Sequence, residues 1–226
     1  MNSRPWRQEH HFGSATAFHA RDLPEPVTRA LWWFEVAGPA VALGSTQRLE
    51  VVSAEAAAAA GVEVLRRRSG GGAVWLAPGE VTWVDVLVPT GDPRWDQDVG
   101  RAAHWLGRAW AEALGHLGVA GAEVHTGGLV RTPWSDLVCF AGLGPGEVTL
   151  GGAKVVGISQ RRTRAGARFQ CAVLHRWDPL PLLAVLELSE ERRTAAPEEL
   201  AAVATGVGDV TADTVVAALS EVLATL

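Results

Sequence analysis

The segment Arg66-Arg67-Arg68-Ser69-Gly70-Gly71-Gly72-Ala73-Val74 places three consecutive arginines directly ahead of three consecutive glycines. Glycine costs backbone entropy and offers no side chain to pack, so a glycine triplet indicates that backbone amides approach a ligand closely. The arginines indicate that this ligand carries negative charge or a polarised carbonyl. A flexible loop beside a solvated basic patch is the alternative interpretation.

The residues on either side favour a positioned loop. Residues 61–65 and 73–76 are apolar and β-branched enough to be read as strands that enter and leave the glycine segment. A loop fixed between two buried strands is the usual construction of a binding loop.

Hydrophobic periodicity predicts the remaining elements. Strands are predicted at 31–36, 39–43, 80–88, 147–150, 153–160 and 169–174, and helices at 54–60, 98–116 and 211–226. Ser53 is the predicted N-cap of the first helix, and Gly151-Gly152 is the predicted turn of a hairpin. The sequence thus predicts one α+β domain over 1–226, with a mainly antiparallel or mixed β-sheet flanked by helices. Residues 1–30 are left unplaced, and 179–226 are predicted to be helical.

Composition limits the function. The chain has 226 residues, a formal net charge of −5 and two cysteines. The net charge argues against a general nucleic-acid binder, and no apolar run approaches the roughly 20 residues that cross a bilayer. Met1 to Pro5 lack an apolar signal core and the cysteines form no disulfide framework, so a cytoplasmic protein is expected.

Arginines are concentrated in two segments of this acidic chain. The first is Arg66 to Arg68, and the second contains Arg161, Arg162, Arg164 and Arg168. Each could be a solvated face, but their position beside glycine-rich turns favours one shared anion-facing site.

Lys154 follows the predicted hairpin turn and precedes the apolar Val155, Val156 and Ile158. A lysine at a strand edge commonly opposes sheet aggregation. The alternative is a lysine held in a site, where its ammonium stabilises negative charge on an acyl or phosphate oxygen.

Cys139 is the candidate thiol of the chain. Free cysteines are commonly small buried apolar residues, whereas a nucleophilic cysteine needs an electropositive and partly exposed setting. The 142–146 segment is able to loop back from Cys139 towards the strand of Lys154. Cys171, in the middle of a predicted strand, is expected to have a packing role.

Together these segments resemble the lipoate–protein ligase and octanoyltransferase superfamily, which is related to biotin ligases. Residues 66–74 look like its first signature, and 152–162 look like its second, which carries the family's essential lysine. Residues 39–47 resemble the segment that precedes both, and the resemblance covers about 31–175. It implies a biotin/lipoate ligase-like catalytic domain that attaches a lipoyl or octanoyl group to a lysine of a lipoyl domain.

The resemblance also implies the site residues. Lys154 would bind the acyl carbonyl or phosphate oxygens. The acyl or acyl-adenylate group would be lined by Arg67, Ser69, Gly70, Gly71, Gly72, Ala73, Val74, Trp75 and Gly157.

Two catalytic branches fit the resemblance. Cysteine-dependent octanoyltransferases have Cys-Phe fifteen positions before the signature lysine, as Cys139-Phe140 and Lys154 stand here. They take octanoyl from an acyl carrier protein, form a thioester and need no cofactor. ATP-dependent ligases use free lipoate or octanoate with ATP and Mg²⁺, and commonly have Asn-Asp where Ser135-Asp136 stands. Asp136 would then be the candidate for Mg²⁺; otherwise no metal is expected.

The sequence favours the thiol route, since the asparagine of the ligase pair is missing. A third hypothesis is a non-catalytic relative that binds a lipoyl or acyl group. This hypothesis is based on Cys171-Ala172, which stands where both branches usually have His-Gly.

Overall fold

A computed structural model describes residues 5–226. Met1 to Arg4, on which part of the prediction about a signal segment rests, lie outside this range. Within it there are ten strands and six α-helices. The strands are β1 (Arg7–Gly13), β2 (Ala30–Val36), β3 (Ala40–Leu43), β4 (Glu63–Arg66), β5 (Val74–Leu76), β6 (Val81–Pro89), β7 (Ala122–Val124), β8 (Val148–Leu150), β9 (Ala153–Arg162) and β10 (Gly166–Leu174). The helices are α1 (Ala15–Ala20), α2 (Ala54–Ala59), α3 (His104–His116), α4 (Leu180–Val185), α5 (Glu190–Leu200) and α6 (Ala212–Thr225).

Seven strands form the main sheet in the order β1-β2-β6-β10-β9-β8-β7. Its pairs are antiparallel except for β1 and β2, which run parallel. A smaller sheet has the order β4-β3-β5, and it holds the two strands that flank the glycine segment. Mixed sheets flanked by helices confirm the predicted α+β class.

The main sheet is covered on both faces. Helices α3 and α6 pack together on one face, where Leu106 and Trp110 of α3 are fully buried with Val84 and Val86 of β6. On the other face, Trp32 and Phe34 of β2 join residues of the small sheet in a second core cluster. Each large apolar side chain buried in this way contributes about 1.5–3 kcal/mol relative to an exposed one.

Helix α3 begins later than the periodicity predicts. The periodicity predicts a start near Asp98, but residues 99–103 form turns and the helix begins at His104. The Asp98 carboxylate accepts the backbone N–H of Gly100 at 2.8 Å. This local bond offers the backbone an alternative to the helical ladder, and Gly100 does not favour the helix either.

The hairpin and the first predicted helix agree closely with the sequence. Gly151 and Gly152 have φ of 57° and 84°, the left-handed conformations that a two-residue hairpin turn requires. The Ser53 side chain accepts the N–H of Ala56 and caps α2 as predicted. The short strand β7 was not predicted, and three residues are too few to show periodicity.

The N-terminal segment, which the sequence left unplaced, supplies strand β1 and helix α1. Glu63 of β4 accepts the backbone N–H groups of Ala15 and Thr16, each at 3.0 Å, and so caps α1. At the other end of the helix, the buried Arg168 donates to the Phe18 and Arg21 carbonyls. Helix α1 is therefore held at both ends by other elements of the fold.

Across residues 5–226, every helix is too short or too polar to qualify as a membrane span.

Candidate active site

The glycine segment joins β4 to β5 and packs against the backbone just before Cys139. The Ala73 N–H donates to the Leu137 carbonyl at 2.7 Å, and the Cys139 N–H donates to the Ala73 carbonyl at 2.9 Å. A Cβ on Gly72 would lie 2.6 Å from the Val138 nitrogen, so this approach requires glycine. The predicted loop is therefore positioned, and it is positioned against the candidate nucleophile.

Arg67 is the arginine of the signature that enters the site, where it is 5% exposed. Its guanidinium donates to Ser69 Oγ at 3.1 Å and to the Gly72 carbonyl at 2.8 Å, and one Nη lies 3.5 Å from Cys139 Sγ. Within residues 5–226, Arg67 has no carboxylate within ion-pair distance. A buried cation without an anionic partner stabilises negative charge that develops beside it.

The other arginines do not join Arg67. Arg68 and Arg161 both bind the exposed carboxylate of Asp22, at 2.7 and 3.1 Å. Arg168 is buried against Asp85. The expectation of one anion-facing site built from both basic segments is wrong, because Arg68, Arg161 and Arg168 are paired with carboxylates at other places on the fold.

Cys139 begins a short 3-10 helix, Cys139–Ala141, that follows the strand-like contact with Ala73. The thiol is free and partly exposed. Cys171 is also free but fully buried, and burial raises the pKa of its thiol far above the ordinary range. The chain thus has one accessible thiol, and it lies beside a guanidinium.

Lys154 lies in β9, an interior strand between β8 and β10, and is 3% exposed. Its ammonium lies 2.7 Å from Glu147 Oε2 and donates to the carbonyls of Cys139 and Gly142 at 3.2 and 3.1 Å. The interpretation of Lys154 as an edge lysine that opposes aggregation is wrong. The lysine is instead turned towards the segment that carries the thiol.

Glu147 is a site residue that the sequence analysis missed. It precedes β8 and is 6% exposed. The available signal was a single carboxylate at the start of an apolar strand, seven residues before the signature lysine. A buried carboxylate needs a partner, and the lysine on the other side of the hairpin was the nearest candidate.

Two cavities meet at Cys139. The tail cavity is mainly apolar, and its walls include Ala42, Val74, Leu76, Trp83, Phe140, Cys171 and Ala172. The mouth cavity has more polar side chains, and it is lined by the glycine segment together with Thr46, Gln47, Arg48, Arg131, Asp136, Gly142 and Lys154. Both cavities share Arg67, Cys139, Glu147, Ile158 and Ser159. The thiol, the guanidinium and the carboxylate therefore lie where the tail cavity meets the mouth cavity.

Two of the predicted lining residues face elsewhere. Ala73 and Trp75 line a separate small pocket with Trp177, and the Trp75 indole N–H donates to Glu80 at 2.9 Å. Side chains alternate along a strand, so Val74 faces the tail cavity while its neighbours cannot. The prediction that Ala73 and Trp75 line the acyl site does not fit this arrangement.

The remaining predicted residues lie at the site in different ways. Ser69 bridges Arg67 to Ser159, and Gly70 to Gly72 form one wall of the mouth cavity. A Cβ on Gly157 would lie 3.3 Å from the Phe140 ring and 3.4 Å from Lys154 Cε, so glycine leaves room for the lysine stem. Asp136 is exposed at the mouth and binds Arg131 at 2.9 Å.

His19 of α1 was not predicted and is a polar member of the tail cavity. Its ring lies 4.4 Å from the Trp83 ring, and its Nδ1 lies 3.2 Å from Gln170 Nε2. Burial and the positive charges of Arg168 and Arg67 lower the pKa of His19 to about 3. The imidazole is therefore uncharged at neutral pH and suits a largely apolar compartment.

This shift predicts how stability depends on pH. The unfolded chain binds a proton at an ordinary histidine pKa near 6.5, whereas the folded chain does so only near 3. The free energy of unfolding should therefore fall as pH decreases through this window, by up to about 1.4 kcal/mol for each pH unit. Denaturant titrations between pH 7 and 5 measure the slope. His19→Gln should reduce it, and an equal slope in both proteins would contradict the assignment.

Comparisons with known proteins show the family to which the chain belongs. Residues 16–225 match the model of the lipoyl protein ligase A/B catalytic domain, so the chain belongs to that family. It is an enzyme of the class that contains lipoyl- and octanoyl-protein transferases and lipoate–protein ligases. No curated protein matches it.

Solved structures show the same fold at low sequence identity. A lipoate-protein ligase A bound with ATP is 19% identical with a TM-score of 0.72, over 97% of this chain and 86% of that chain. A bipartite lipoate protein ligase with its E2 lipoyl domain, from Thermoplasma acidophilum, is 19% identical with a TM-score of 0.68, over 98% and 84%. A candidate lipoate protein ligase from T. acidophilum with bound lipoic acid is 21% identical with a TM-score of 0.67, over 97% and 86%.

Proposed function

We propose that this enzyme transfers an octanoyl or lipoyl group to the acceptor lysine of a lipoyl domain through a thioester on Cys139. The observation that carries the proposal is the position of Cys139 Sγ, 3.5 Å from the buried Arg67 guanidinium at the junction of the two cavities. A cation beside a partly exposed thiol stabilises the negative charge that the sulfur carries as it attacks.

The first half-reaction loads the enzyme. The Cys139 thiolate attacks the thioester carbonyl of an acyl carrier protein, and a new carbon–sulfur bond forms as the bond to the carrier sulfur breaks. The carrier thiolate leaves and takes up a proton, which balances the proton that Cys139 loses to solvent before it attacks. In this proposal the tail cavity, whose walls are mainly apolar, receives the hydrocarbon chain, and the mouth cavity admits the arm of the carrier.

The second half-reaction acylates the acceptor. The neutral amine of the lipoyl-domain lysine attacks the enzyme thioester, the amide bond forms, and Cys139 leaves as a thiolate. The attacking nitrogen of the acceptor lysine loses one proton to solvent as the amide forms. Because the thiol must stay reduced between turnovers, we place this chemistry in the cytoplasm.

Intact mass spectrometry tests this proposal. The protein incubated with octanoyl carrier protein should gain the mass of one octanoyl group, and the adduct should disappear on addition of a lipoyl domain. A protein that never becomes acylated by this donor contradicts the proposal. No nucleotide is added in this arm, so a ligase would leave the protein unmodified.

An ATP-dependent lipoate ligase is the second candidate, supported by the likeness to a lipoate-protein ligase A bound with ATP. The mouth cavity offers the glycine segment, Arg48 and Arg131 to a nucleotide, and Asp136 as one carboxylate for Mg²⁺. Since Mg²⁺ is commonly held by one or two carboxylates and the substrate phosphates, this single side chain fits only when a nucleotide is bound. AMP release from lipoate and ATP that persists in Cys139→Ser would favour this candidate. If neither an acyl adduct nor AMP is formed, the result would favour a non-catalytic binding protein.

A further inference from the structure

We propose that Glu147 is a positioning residue for the Cys139 thiol, and that it acts through Lys154 on the segment that carries the nucleophile. This assignment rests on the proposed function, because it concerns the thiol that would receive the acyl group. We call the arrangement the Glu147 clamp, and it consists of Glu147, Lys154 and the backbone of residues 139–144.

The carboxylate of Glu147 is fully engaged by three donors. Oε2 accepts the Gly144 N–H at 2.6 Å and lies 2.7 Å from Lys154 Nζ, and Oε1 accepts the Ile158 N–H at 3.1 Å. The side chain therefore connects the end of the nucleophile segment to β9. Its contacts with two backbone N–H groups fix the direction in which it presents its charge to the lysine.

The ammonium of Lys154 extends this connection to the nucleophile itself. It has three N–H groups and three protein acceptors, which are Glu147, the Cys139 carbonyl and the Gly142 carbonyl. The two carbonyls lie at the start and just beyond the end of the 3-10 helix Cys139–Ala141. Nζ also lies 4.9 Å from the centre of the Phe140 ring, within the same turn. The clamp thus holds the thiol segment at residues 139, 142 and 144.

Stability alone gives a weak reason for this arrangement. Replacing a buried ion pair by apolar side chains of similar volume is often neutral or stabilising, so such a pair is poor evidence of a purely structural role. Glu147 lines both cavities, Lys154 lines the mouth cavity, and the pair binds the backbone of the nucleophile segment. Its position therefore points to orientation of the thiol between Arg67 and the incoming thioester.

Orientation of the nucleophile affects the rate of acylation more than it affects the affinity for the substrate. A displacement of about 1 Å between reacting groups can lower a rate by about 100-fold. Without the carboxylate, the ammonium loses the acceptor that directs it, and the carbonyls of Cys139 and Gly142 lose a fixed donor. The tail cavity and the mouth cavity keep their other walls, so the affinity for the acyl donor should change little.

The test is the rate of Cys139 acylation by octanoyl carrier protein in Glu147→Gln. We expect the rate constant at saturating donor to fall by about 100-fold, with KM within about threefold of wild type. Glu123→Gln is the matched control, since Glu123 is an exposed glutamate of the same sheet, and it should leave both values unchanged. A normal rate constant in Glu147→Gln, or a loss expressed in KM alone, would overturn the assignment.

A double-mutant cycle separates positioning from a general structural effect. If Glu147 acts through Lys154, Glu147→Gln should lower the acylation rate by less than about threefold when it is added to Lys154→Met, because contacting residues couple in such cycles. The double variant removes both buried charges, so it provides a folded protein even where Glu147→Gln alone is unstable. A further loss of about 100-fold in the Lys154→Met background would show independent action and overturn the assignment. Wild-type protein that forms no acyl adduct would overturn both this assignment and the proposed function, whereas a normal Glu147→Gln rate overturns this assignment alone.

Discussion

Cys139→Ser is expected to abolish formation of the acyl-enzyme. A serine hydroxyl needs an adjacent general base, and the guanidinium of Arg67, the polar neighbour of Cys139 Sγ, has donors only and cannot serve as one. Loss of a covalent nucleophile lowers turnover by about 10⁴-fold or more. Intact mass of the variant after incubation with octanoyl carrier protein, beside wild type, measures this directly.

Peptide mapping supplies the control for this experiment, because the chain has only two cysteines. The octanoyl group should be found on the peptide that contains Cys139 and not on the one that contains Cys171. The burial that raises the pKa of Cys171 keeps its thiol protonated and out of reach. An undiminished adduct in Cys139→Ser, or an adduct on Cys171, would refute the assignment of the nucleophile.

The sequence predicted those parts of the site that are encoded locally. The glycine segment, the hairpin turn at Gly151-Gly152 and the strand that carries Lys154 depend on residues close together in the chain. A motif of this kind predicts the backbone conformation directly. Few residues other than glycine adopt the φ values of the turn, and a Cβ at Gly72 would clash with the neighbouring backbone.

The parts that could not be predicted depend on contacts between distant residues. The parallel pairing of β1 with β2 and the capping of α1 by Glu63 leave no periodic signal in residues 1–30. His19 lies at the end of α1 whose carbonyls are held by Arg168, a residue far along the chain. Local composition cannot contain such information.

The errors have a common physical origin. The arginine-rich segments were grouped by their charge, but Asp22 and Asp85 neutralise three of these side chains away from the cavities. Trp75 was grouped with its neighbours in the signature, but strand alternation turns it to the opposite face. In both cases a property of the sequence, like charge in the first and proximity in the second, was taken for proximity in space.

Lys154→Ala is expected to damage both stability and activity. The variant leaves the Glu147 carboxylate buried without its cation, which costs about 3–5 kcal/mol when one partner of a buried ion pair is removed. In a chain of this length each kcal/mol lowers Tm by roughly 2–4 °C. The acylation rate should fall by about 100-fold or more, because the Cys139 and Gly142 carbonyls lose their shared donor. Thermal unfolding and single-turnover acylation measure the two effects separately.

Lys154→Arg should also fail, although it keeps the charge. Lys154 Nζ is enclosed by one carboxylate and two carbonyls at 2.7–3.2 Å, and the residue is 3% exposed. A planar guanidinium is larger than an ammonium and directs its donors differently, so it cannot meet all three acceptors.

Removing both charges with Glu147→Gln and Lys154→Met should recover much of the stability without recovering the rate, because the thiol segment stays unclamped. Near-normal acylation in Lys154→Arg, or recovery of rate together with stability in the double variant, would show that the lysine serves the fold and not the nucleophile.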